Sequence, residues 1–513
     1  MSQTDTESPR HHRLQRGVLS VPNGIALAAA AMAPVLAVVL NAPAAGLVAG
    51  AALPLSFLIA FIACAFVGNT VVQFSKKLPS AGSFYTFNSQ GLGPAAGFFT
   101  GWLFWIGYAV LAPGLFTAFG SFVHDYFLMT FNTDVPWWIF SLMGMVVVFG
   151  LSVRSIRASV RVDLLLLAIE VAIFLVLAIF AIAQAGPGNT AAVFSPSSSP
   201  TGISGVGLGV VFGILSFIGF DAAATLGEET RDPRRSVPRA VAGALAAVGI
   251  FYVFEMYALA AGYGLNDPAK LEAFLKDPNP FVTLSEQATP WLTQPVELAA
   301  IAGLFSCFLA IVNTTVRVMF AMGRDQVLPQ SLGQVHKSWH SPFRAIVVQT
   351  IFTVVIGLSV GAWLGPGPTG AYGFTGVIGT VAIVLVYLLS NVALIRYFWK
   401  SSERSFVKHI LLPTLGVIAL LYPLYAVAQP GQSYPYNLVL WIVLIWIALG
   451  LALFLRYKAV SPAKIAALGS FLAEDDIPLE DQPEALLAAR ISSLQAPPVE
   501  DLPAPKQDGD GSA

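Results

Sequence analysis

Apolar residues in this chain form long runs that are separated by short polar segments. Twelve runs are about 20 residues long, the length that an α-helix needs to cross the hydrocarbon core of a bilayer. The predicted spans are 20–40, 45–72, 94–124, 136–153, 160–184, 204–226, 237–264, 295–322, 343–364, 371–397, 409–428 and 436–456. The pattern predicts an all-α polytopic membrane protein with twelve transmembrane helices.

Basic residues between the spans alternate from one side of the membrane to the other. Lys and Arg accumulate in cytoplasmic loops. If residues 1–18 are a cytoplasmic tail, only Lys270 and Lys276 fall between spans on the opposite side. The alternation predicts a multi-pass protein of the plasma membrane, with both termini in the cytoplasm. The polar, Pro-rich segment 459–513 is predicted to be a cytoplasmic tail that is partly disordered.

Composition restricts the functional class. The chain has 513 residues, of which 56% are hydrophobic and 11% are charged, too little polar surface for a soluble protein. The net charge of -1 argues against a nucleic-acid partner. The two cysteines, Cys64 and Cys307, lie in apolar spans and match neither a disulfide framework nor a zinc site. The lipid bilayer is the predicted partner.

The stretch FGILSFIGFDAAATLGEETRDPRRSVPR, residues 212–239, contains the strongest candidate site. It begins as an apolar helix and then places Gly219 and Asp221 at membrane depth. An acid inside the membrane is costly and marks a functional site by default. Interrupted membrane helices leave backbone groups free to bind a ligand. Asp221 has a second interpretation, as the N-cap of a helix that restarts after Gly219.

Pro34 interrupts the first span. Proline removes a helical N–H donor and clashes with the preceding turn, so we expect a kink or an unwound segment near Met32–Val35. One interpretation is a proline kink that only shapes packing. The other is a binding site, because two interrupted spans at corresponding places in two halves of a chain are typical of transporters. Spans one and six hold corresponding places if spans one to five and six to ten are repeats.

Three separated runs resemble signatures of the amino acid, polyamine and organocation transporter superfamily. They are PSAGSFYTFNSQGLGPAAGFFTGW (79–102), FIGFDAAATLGEETRDPRRSVPRA (217–240) and RVMFAMGRDQVLPQSLGQVH (317–336). The resemblance implies a five-plus-five inverted-repeat core over 19–398, of the LeuT-like kind, followed by two extra helices in 399–458. It also implies transport of amino acids or related amines.

The same resemblance implies a substrate site where helices one and six unwind. Free amides in helix one would bind a substrate carboxylate, carbonyls in helix six would take the amino group, and an aromatic residue there would cover the ligand. Many members carry a glycine-rich run where this chain has AAMAPV. The implied binding residues are Ala31, Met32, Ala33, Pro34 and Val35 in helix one, and Phe217, Ile218, Gly219 and Phe220 in helix six.

Coupling to an ion gradient requires a group that binds the ion. Glu170, near the middle of the fifth span, is the first candidate, because a buried carboxyl can carry a proton without a permanent charge. Its alternative role is structural, as an acid bonded to nearby backbone. Asp221 and Asn313 are further candidates, although Asn313 could serve as polar glue between helices. Glu255, in the seventh span, is expected to meet a polar neighbour in the bundle.

Charged residues after the sixth span and within the eighth suggest a gate. Arg317 or Arg324 is expected to pair with Glu228 or Glu229 near the cytoplasmic side. The competing interpretation is that the arginines extend to the lipid headgroups.

Together these features predict a secondary active transporter that imports amino acids or related amines by alternating access around helices one and six. Proton coupling is expected, with sodium as another driving ion, and exchange without net proton movement is the alternative function. A neutral amino acid is the default substrate, and the sequence leaves the oligomeric state open. No filter motif, metal-binding or nucleophilic constellation, or ATP-binding loop is visible, so a channel, an enzyme or a primary pump is not expected, and no cofactor is required.

Overall fold

The computed structural model describes residues 21–78, 83–154, 159–225, 232–277, 279–324, 327–336, 339 and 341–460. Within these ranges the chain forms helices and connecting turns, with no strand. The predicted N-terminal tail, 1–18, therefore lies outside the described residues. Of the predicted C-terminal tail, 459–513, the structure describes only residues 459–460, at the end of the last helix. The domain boundaries and the orientation in the membrane stay predictions.

The described residues up to 225 form ten α-helices. They are α1 (Val21–Met32), α2 (Pro34–Ala49), α3 (Leu53–Lys77), α4 (Ser83–Leu92), α5 (Pro94–Ala109), α6 (Leu111–Phe131), α7 (Trp137–Arg154), α8 (Ser159–Gln184), α9 (Ile203–Phe217) and the single turn α10 (Ala222–Thr225).

The described residues from 232 onward form eight more. They are α11 (Pro233–Tyr263), α12 (Pro268–Lys276), α13 (Pro280–Ala288), α14 (Thr293–Arg324), α15 (Phe343–Leu364), α16 (Gly373–Phe398), α17 (Leu412–Ala428) and α18 (Val439–Val460).

Ten helical stretches among the described residues are long and apolar enough to cross a membrane. One of them, Gly24–Lys77, includes the first two predicted spans, and the sixth predicted span is represented by the shorter apolar helix Ile203–Phe217. The all-α polytopic architecture is confirmed. The count of twelve and the inverted repeat stay predictions.

The segment before α14 differs from expectation. The predicted spans leave residues 265–294 as a long loop, whereas the structure contains the two short helices α12 and α13 there. Local chemistry explains α12: Asp267 occupies the N-cap and its side chain accepts a hydrogen bond from the Ala269 amide, while Pro268 takes the first helical position. A capping residue followed by proline is a helix start that hydropathy alone does not detect.

The helices that carry the candidate site lie in the interior of the bundle. α2 packs on α9, α11 packs on α3 and α1, and α14 contacts α2, α6 and α8. Nearly every residue of α2 and of α9 is buried. A helix that is apolar on all sides is suited to such an interior position.

Two tryptophans attach the last helix to the bundle. The indole rings of Trp102 on α5 and Trp446 on α18 are stacked, with centroids 4.4 Å apart. The Trp102 Nε1–H donates to the Trp446 carbonyl at 2.9 Å, and the Trp446 Nε1–H donates to the Trp102 carbonyl at 3.1 Å. Both indole donors are thereby satisfied where water is scarce.

Candidate functional site

The first break separates α1 from α2 at a single residue. Ala33 has the left-handed backbone angles φ 43° and ψ 67°, which L-residues other than glycine rarely adopt. Pro34 then begins α2 without an N–H group. The first amides of a helix have no acceptor within it, so the start of α2 presents free donors and a partial positive charge. The predicted interruption near Met32–Val35 is confirmed.

The second break follows α9. Phe217 ends the helix, residues 218–221 form a turn, and α10 begins at Ala222. Gly219 has φ 109°, a conformation that glycine adopts readily and other residues rarely do. The predicted interruption at Gly219 is therefore confirmed as well.

The two breaks touch each other. A Cβ atom added to Gly219 would lie 2.6 Å from the Ala31 carbonyl oxygen and 2.9 Å from the Ala31 carbonyl carbon. Real side chains do not approach backbone this closely, so the missing Cβ is what brings the turn after α9 against the end of α1. Unwound backbone from two different helices therefore meets at one place.

A buried tyrosine supports both breaks. The Tyr252 hydroxyl, on α11, lies 3.0 Å from the Met32 carbonyl oxygen and 2.7 Å from the Ser216 carbonyl oxygen. These carbonyls belong to the last turns of α1 and α9, where carbonyl groups have no N–H partner within their own helix. Because a hydroxyl has one hydrogen, it is shared between two acceptors.

A small cavity lies beside the breaks. Its lining residues are Ala31, Met32, Ala33, Leu36, Ala37, Asn41, Leu111, Leu115, Leu215, Ile218, Cys307, Ile311 and Tyr372. The cavity volume of about 30 Å³ is far below the roughly 300–1,000 Å³ that is usual for ligand pockets. This conformation is therefore closed around the site.

Three hydrogen-bonded side chains form one polar edge of this region. The Asn41 amide Nδ2 donates to Ser216 Oγ at 2.7 Å, and Tyr372 donates through its hydroxyl to Asn41 Oδ1 at 3.0 Å. Ser216 Oγ in turn donates to the Phe212 carbonyl. The chain of bonds connects α2, α9 and the segment that precedes α16.

Of the nine residues expected to bind substrate, four line the cavity and five do not. Ala31, Met32, Ala33 and Ile218 line the cavity. The other five lie outside that lining: Pro34, Val35, Phe217, Gly219 and Phe220. Their role in binding stays a prediction.

The two aromatic residues at the second break pack away from the cavity. Phe217 packs edge-on against Tyr252, with ring centroids 5.0 Å apart. Phe220 packs between Phe84 and Tyr387, with centroid distances of 6.3 Å and 5.6 Å. In this closed conformation neither ring covers the cavity, and the expectation that an aromatic residue covers a ligand stays a prediction.

Glu170 lies where α8 meets α14 and the start of α2. Its side chain is 6% exposed. A Cβ atom added to Gly303 would lie 3.1 Å from Glu170 Oε2 and 3.7 Å from the Leu36 amide nitrogen. The Glu170 carboxyl group and the Leu36 amide, in the first turn of α2, therefore both face Gly303.

Asp221 is buried at the end of the second break and directly precedes α10. The Ser83 hydroxyl is next to its carboxyl group, and Tyr108 and Tyr387 are near enough to interact with its charge. Within the described residues, Asp221 Oδ1 and the Tyr387 hydroxyl have no hydrogen-bond partner. The position is that of an N-cap, although Oδ1 is not used in one.

Glu255 contradicts the expectation of a polar neighbour. It is 0% exposed on α11, and neither carboxyl oxygen has a hydrogen-bond partner in the described part of the chain. A buried carboxylate without partners is costly, which favours the neutral acid in this conformation.

Asn313 is half-buried on α14, two residues after the cavity residue Ile311. Among the described residues, no group of three or more His, Cys, Asp or Glu could hold a metal ion.

The predicted gate is only partly within the described structure. Arg317 is described and is exposed on α14. Glu228, Glu229 and the side chain of Arg324 lie outside the described residues. The pairing between them stays a prediction.

Sequence reasoning missed several residues at the centre of the site. Asn41 stands alone as an amide in the apolar run LAVVLNAPAAG, and this isolated polar residue was the available signal. Tyr252, Ser216 and Tyr372 gave no such signal, because tyrosine and serine are frequent in membrane helices. Their position at the site is shown only by the three-dimensional packing of α9, α11 and the segment before α16.

A polytopic helical chain in which two interrupted helices meet beside a cavity has the architecture of a membrane transporter. The chain belongs to the amino acid permease family, whose model matches residues 25–469. Families of this kind are transporters of small molecules and are not enzymes.

Curated relatives match along most of the chain. The methylthioribose transporter of Bacillus subtilis (strain 168) is 26% identical over 428 residues, which cover 80% of this chain and 86% of the relative. The branched-chain amino acid permease BcaP of the same organism is 24% identical over 439 residues, with the same coverage. The low-affinity putrescine importer PlaP of Escherichia coli (strain K12) is 24% identical over 384 residues, covering 72% and 79%.

Proposed function

We propose that this protein is a secondary active transporter that imports an amino acid, or a related amine, by alternating access around the breaks in α1/α2 and α9/α10. The contact between Gly219 and the Ala31 carbonyl carries the proposal, because it brings two sets of free backbone groups to one cavity. The names of the relatives support the substrate range: branched-chain amino acids in one and putrescine in another.

The backbone supplies opposite partial charges for the two ends of an amino acid. The N-terminus of α2 would bind the carboxylate through its free amides, and the carbonyls at the ends of α1 and α9 would bind the ammonium group. Neither interaction needs a charged side chain. Recognition by backbone alone suits a zwitterion whose two charges lie close together.

The closed cavity requires a conformational cycle. A volume of about 30 Å³ is far below that of a ligand pocket, so the helices must separate before the substrate enters. The bonds from Tyr372 to Asn41 and from Asn41 to Ser216 cross from α2 to α9 and to the start of α16 on the side predicted to be extracellular. Opening to that side would break at least one of them.

Glu170 is the proposed proton carrier. When ionised, its carboxylate competes with the substrate carboxylate for the amides at the start of α2, and the two negative charges repel. A proton on Glu170 removes both effects. Proton binding and substrate binding would then favour each other, which is the requirement for symport. Asp221 is the second candidate, since it is buried beside the other break.

Uptake by purified protein in proteoliposomes tests the proposal. A labelled neutral amino acid is expected to accumulate when the outside is acidic and to equilibrate without accumulation when the proton gradient is collapsed. Liposomes loaded with unlabelled substrate separate the alternative function. Exchange that proceeds equally with and without the gradient would show an antiporter, and absence of both uptake and exchange would reject the transporter.

A further inference from the structure

The cavity beside the two helix breaks has an almost entirely apolar wall. Eleven of the thirteen lining residues are Ala, Leu, Ile, Met or Cys, and the other two are Asn41 and Tyr372. No Asp, Glu, Lys or Arg among the described residues contributes to it. Backbone groups at the breaks can bind the charged ends of an amino acid, so the wall is left to face its side chain.

The two polar residues of the wall already satisfy each other. Asn41 Oδ1 accepts from Tyr372 and Asn41 Nδ2 donates to Ser216. Neither residue carries a charge that would neutralise an ammonium group. A cationic side chain in this cavity would lose its hydration without gaining a counter-ion, which disfavours binding.

The buried acids of the bundle lie outside the cavity lining. Glu170 is near Gly303 and the start of α2, Asp221 is beside Ser83 behind the second break, and Glu255 lies on α11. None of the three lines the cavity. Their presence in the membrane therefore does not make the cavity a cation site.

We propose that the cavity selects α-amino acids with an uncharged, apolar side chain, and that it rejects diamines and amino acids with a cationic side chain. The proposal rests on the proposed transport function and goes further by naming the substrate class. The family does not decide this question, because it includes relatives named for branched-chain amino acids, for putrescine and for lysine.

Competition against labelled leucine in proteoliposomes is the first test. Isoleucine, valine and methionine are expected to compete, whereas lysine and putrescine should be at least about tenfold weaker, a ratio within the range that pocket contacts can supply. Transport of lysine or putrescine with exclusion of leucine would overturn this inference and leave the transporter intact. Absence of transport of every compound would overturn both.

A charge placed in the wall tests the same inference without depending on the absolute rate. Asn41→Asp keeps the shape of the side chain and introduces a carboxylate that lines the cavity. The affinity for lysine relative to that for leucine, measured by competition, is expected to rise at least about tenfold. An unchanged ratio in folded, transport-competent protein would contradict the proposal.

Asn391→Asp is the matched control. Asn391 is fully buried on α16, accepts a hydrogen bond from Thr70 and does not line the cavity. The same chemical change there is expected to leave the ratio as in the unsubstituted protein. A similar rise in both variants would show a non-local charge effect and would reject the cavity as its origin. If Asn41→Asp does not fold, the competition panel on the unsubstituted protein still decides the inference.

Discussion

The Tyr252 hydroxyl lies 3.0 Å from the carbonyl oxygen of Met32, the last residue of α1. The same hydroxyl lies 2.7 Å from the Ser216 carbonyl in α9. One donor on α11 is thereby shared by both interrupted helices. A ligand ammonium group that approaches these carbonyls would compete with Tyr252, so this contact connects the stability of the closed form with the occupancy of the site.

Removing that hydroxyl should weaken the closed form. Tyr252→Phe leaves two buried carbonyls without their donor, at an expected cost of about 1–3 kcal/mol in the free energy of unfolding. We expect a lower thermal midpoint in detergent and slower substrate uptake. Tyr257→Phe is the control: it lies on the same helix and its ring is stacked on Phe194. Equal effects of the two substitutions would contradict a special role for Tyr252.

Adding one methyl group at the second break should block transport. In Gly219→Ala the new Cβ would lie 2.6 Å from the Ala31 carbonyl oxygen, and alanine would have to adopt φ 109°. The strained backbone alone costs on the order of 1–3 kcal/mol. We expect loss of uptake together with reduced thermal stability.

Gly150→Ala provides the comparison for that experiment. Gly150 lies within α7, and a Cβ there would meet no atom within 4 Å apart from the adjacent backbone of its own helix. Its uptake should equal that of the unsubstituted protein, and its thermal midpoint should not fall, because alanine is favoured over glycine inside a helix. Normal uptake by Gly219→Ala would show that the breaks do not need to touch.

Proton coupling should depend on Glu170. Glu170→Gln mimics the protonated acid next to the start of α2, so substrate binding and exchange are expected to survive while accumulation driven by a pH gradient is abolished. Uptake and exchange are measured in the same proteoliposomes. Glu286→Gln, at an exposed position of α13, is expected to accumulate substrate normally. Undiminished gradient-driven accumulation by Glu170→Gln would remove Glu170 from the mechanism.

The stacked indoles of Trp102 and Trp446 should couple α5 to α18. Replacing either indole with leucine removes the ring stack, and replacing both completes the comparison. A double-mutant cycle on thermal unfolding is expected to give a coupling energy of about 0.5–1.5 kcal/mol. Additive effects would show that the two contacts act independently.

Local chemistry made the two breaks predictable. Proline at position 34 and glycine followed by an acid at 219–221 interrupt otherwise apolar runs, and their physical effects on a helix are local. The membrane spans were also predictable from local sequence, because the length of an apolar run indicates whether a helix can cross the bilayer. α15, at Phe343–Leu364, begins and ends where the ninth predicted span does.

The partners of the breaks depend on tertiary packing and were not predictable. Tyr252 is 220 residues from Met32 along the chain, and Tyr372 is 331 residues from Asn41. No local pattern records such contacts. For Glu255 the expectation was wrong: a polar residue in a membrane helix was expected to meet a polar neighbour, and in the described structure its carboxyl oxygens have no hydrogen-bond partner.

Protection of Cys307 by substrate tests the central claim, that substrate binds between the two helix breaks. Cys307 lines the cavity, and with Cys64→Ala it is the only cysteine in the chain. The rate of its alkylation by a membrane-permeant maleimide is measured in proteoliposomes with and without a transported amino acid. We predict that saturating substrate slows the reaction, and that a compound which is not transported has no effect. An unchanged rate at a substrate concentration that saturates uptake would contradict the claim.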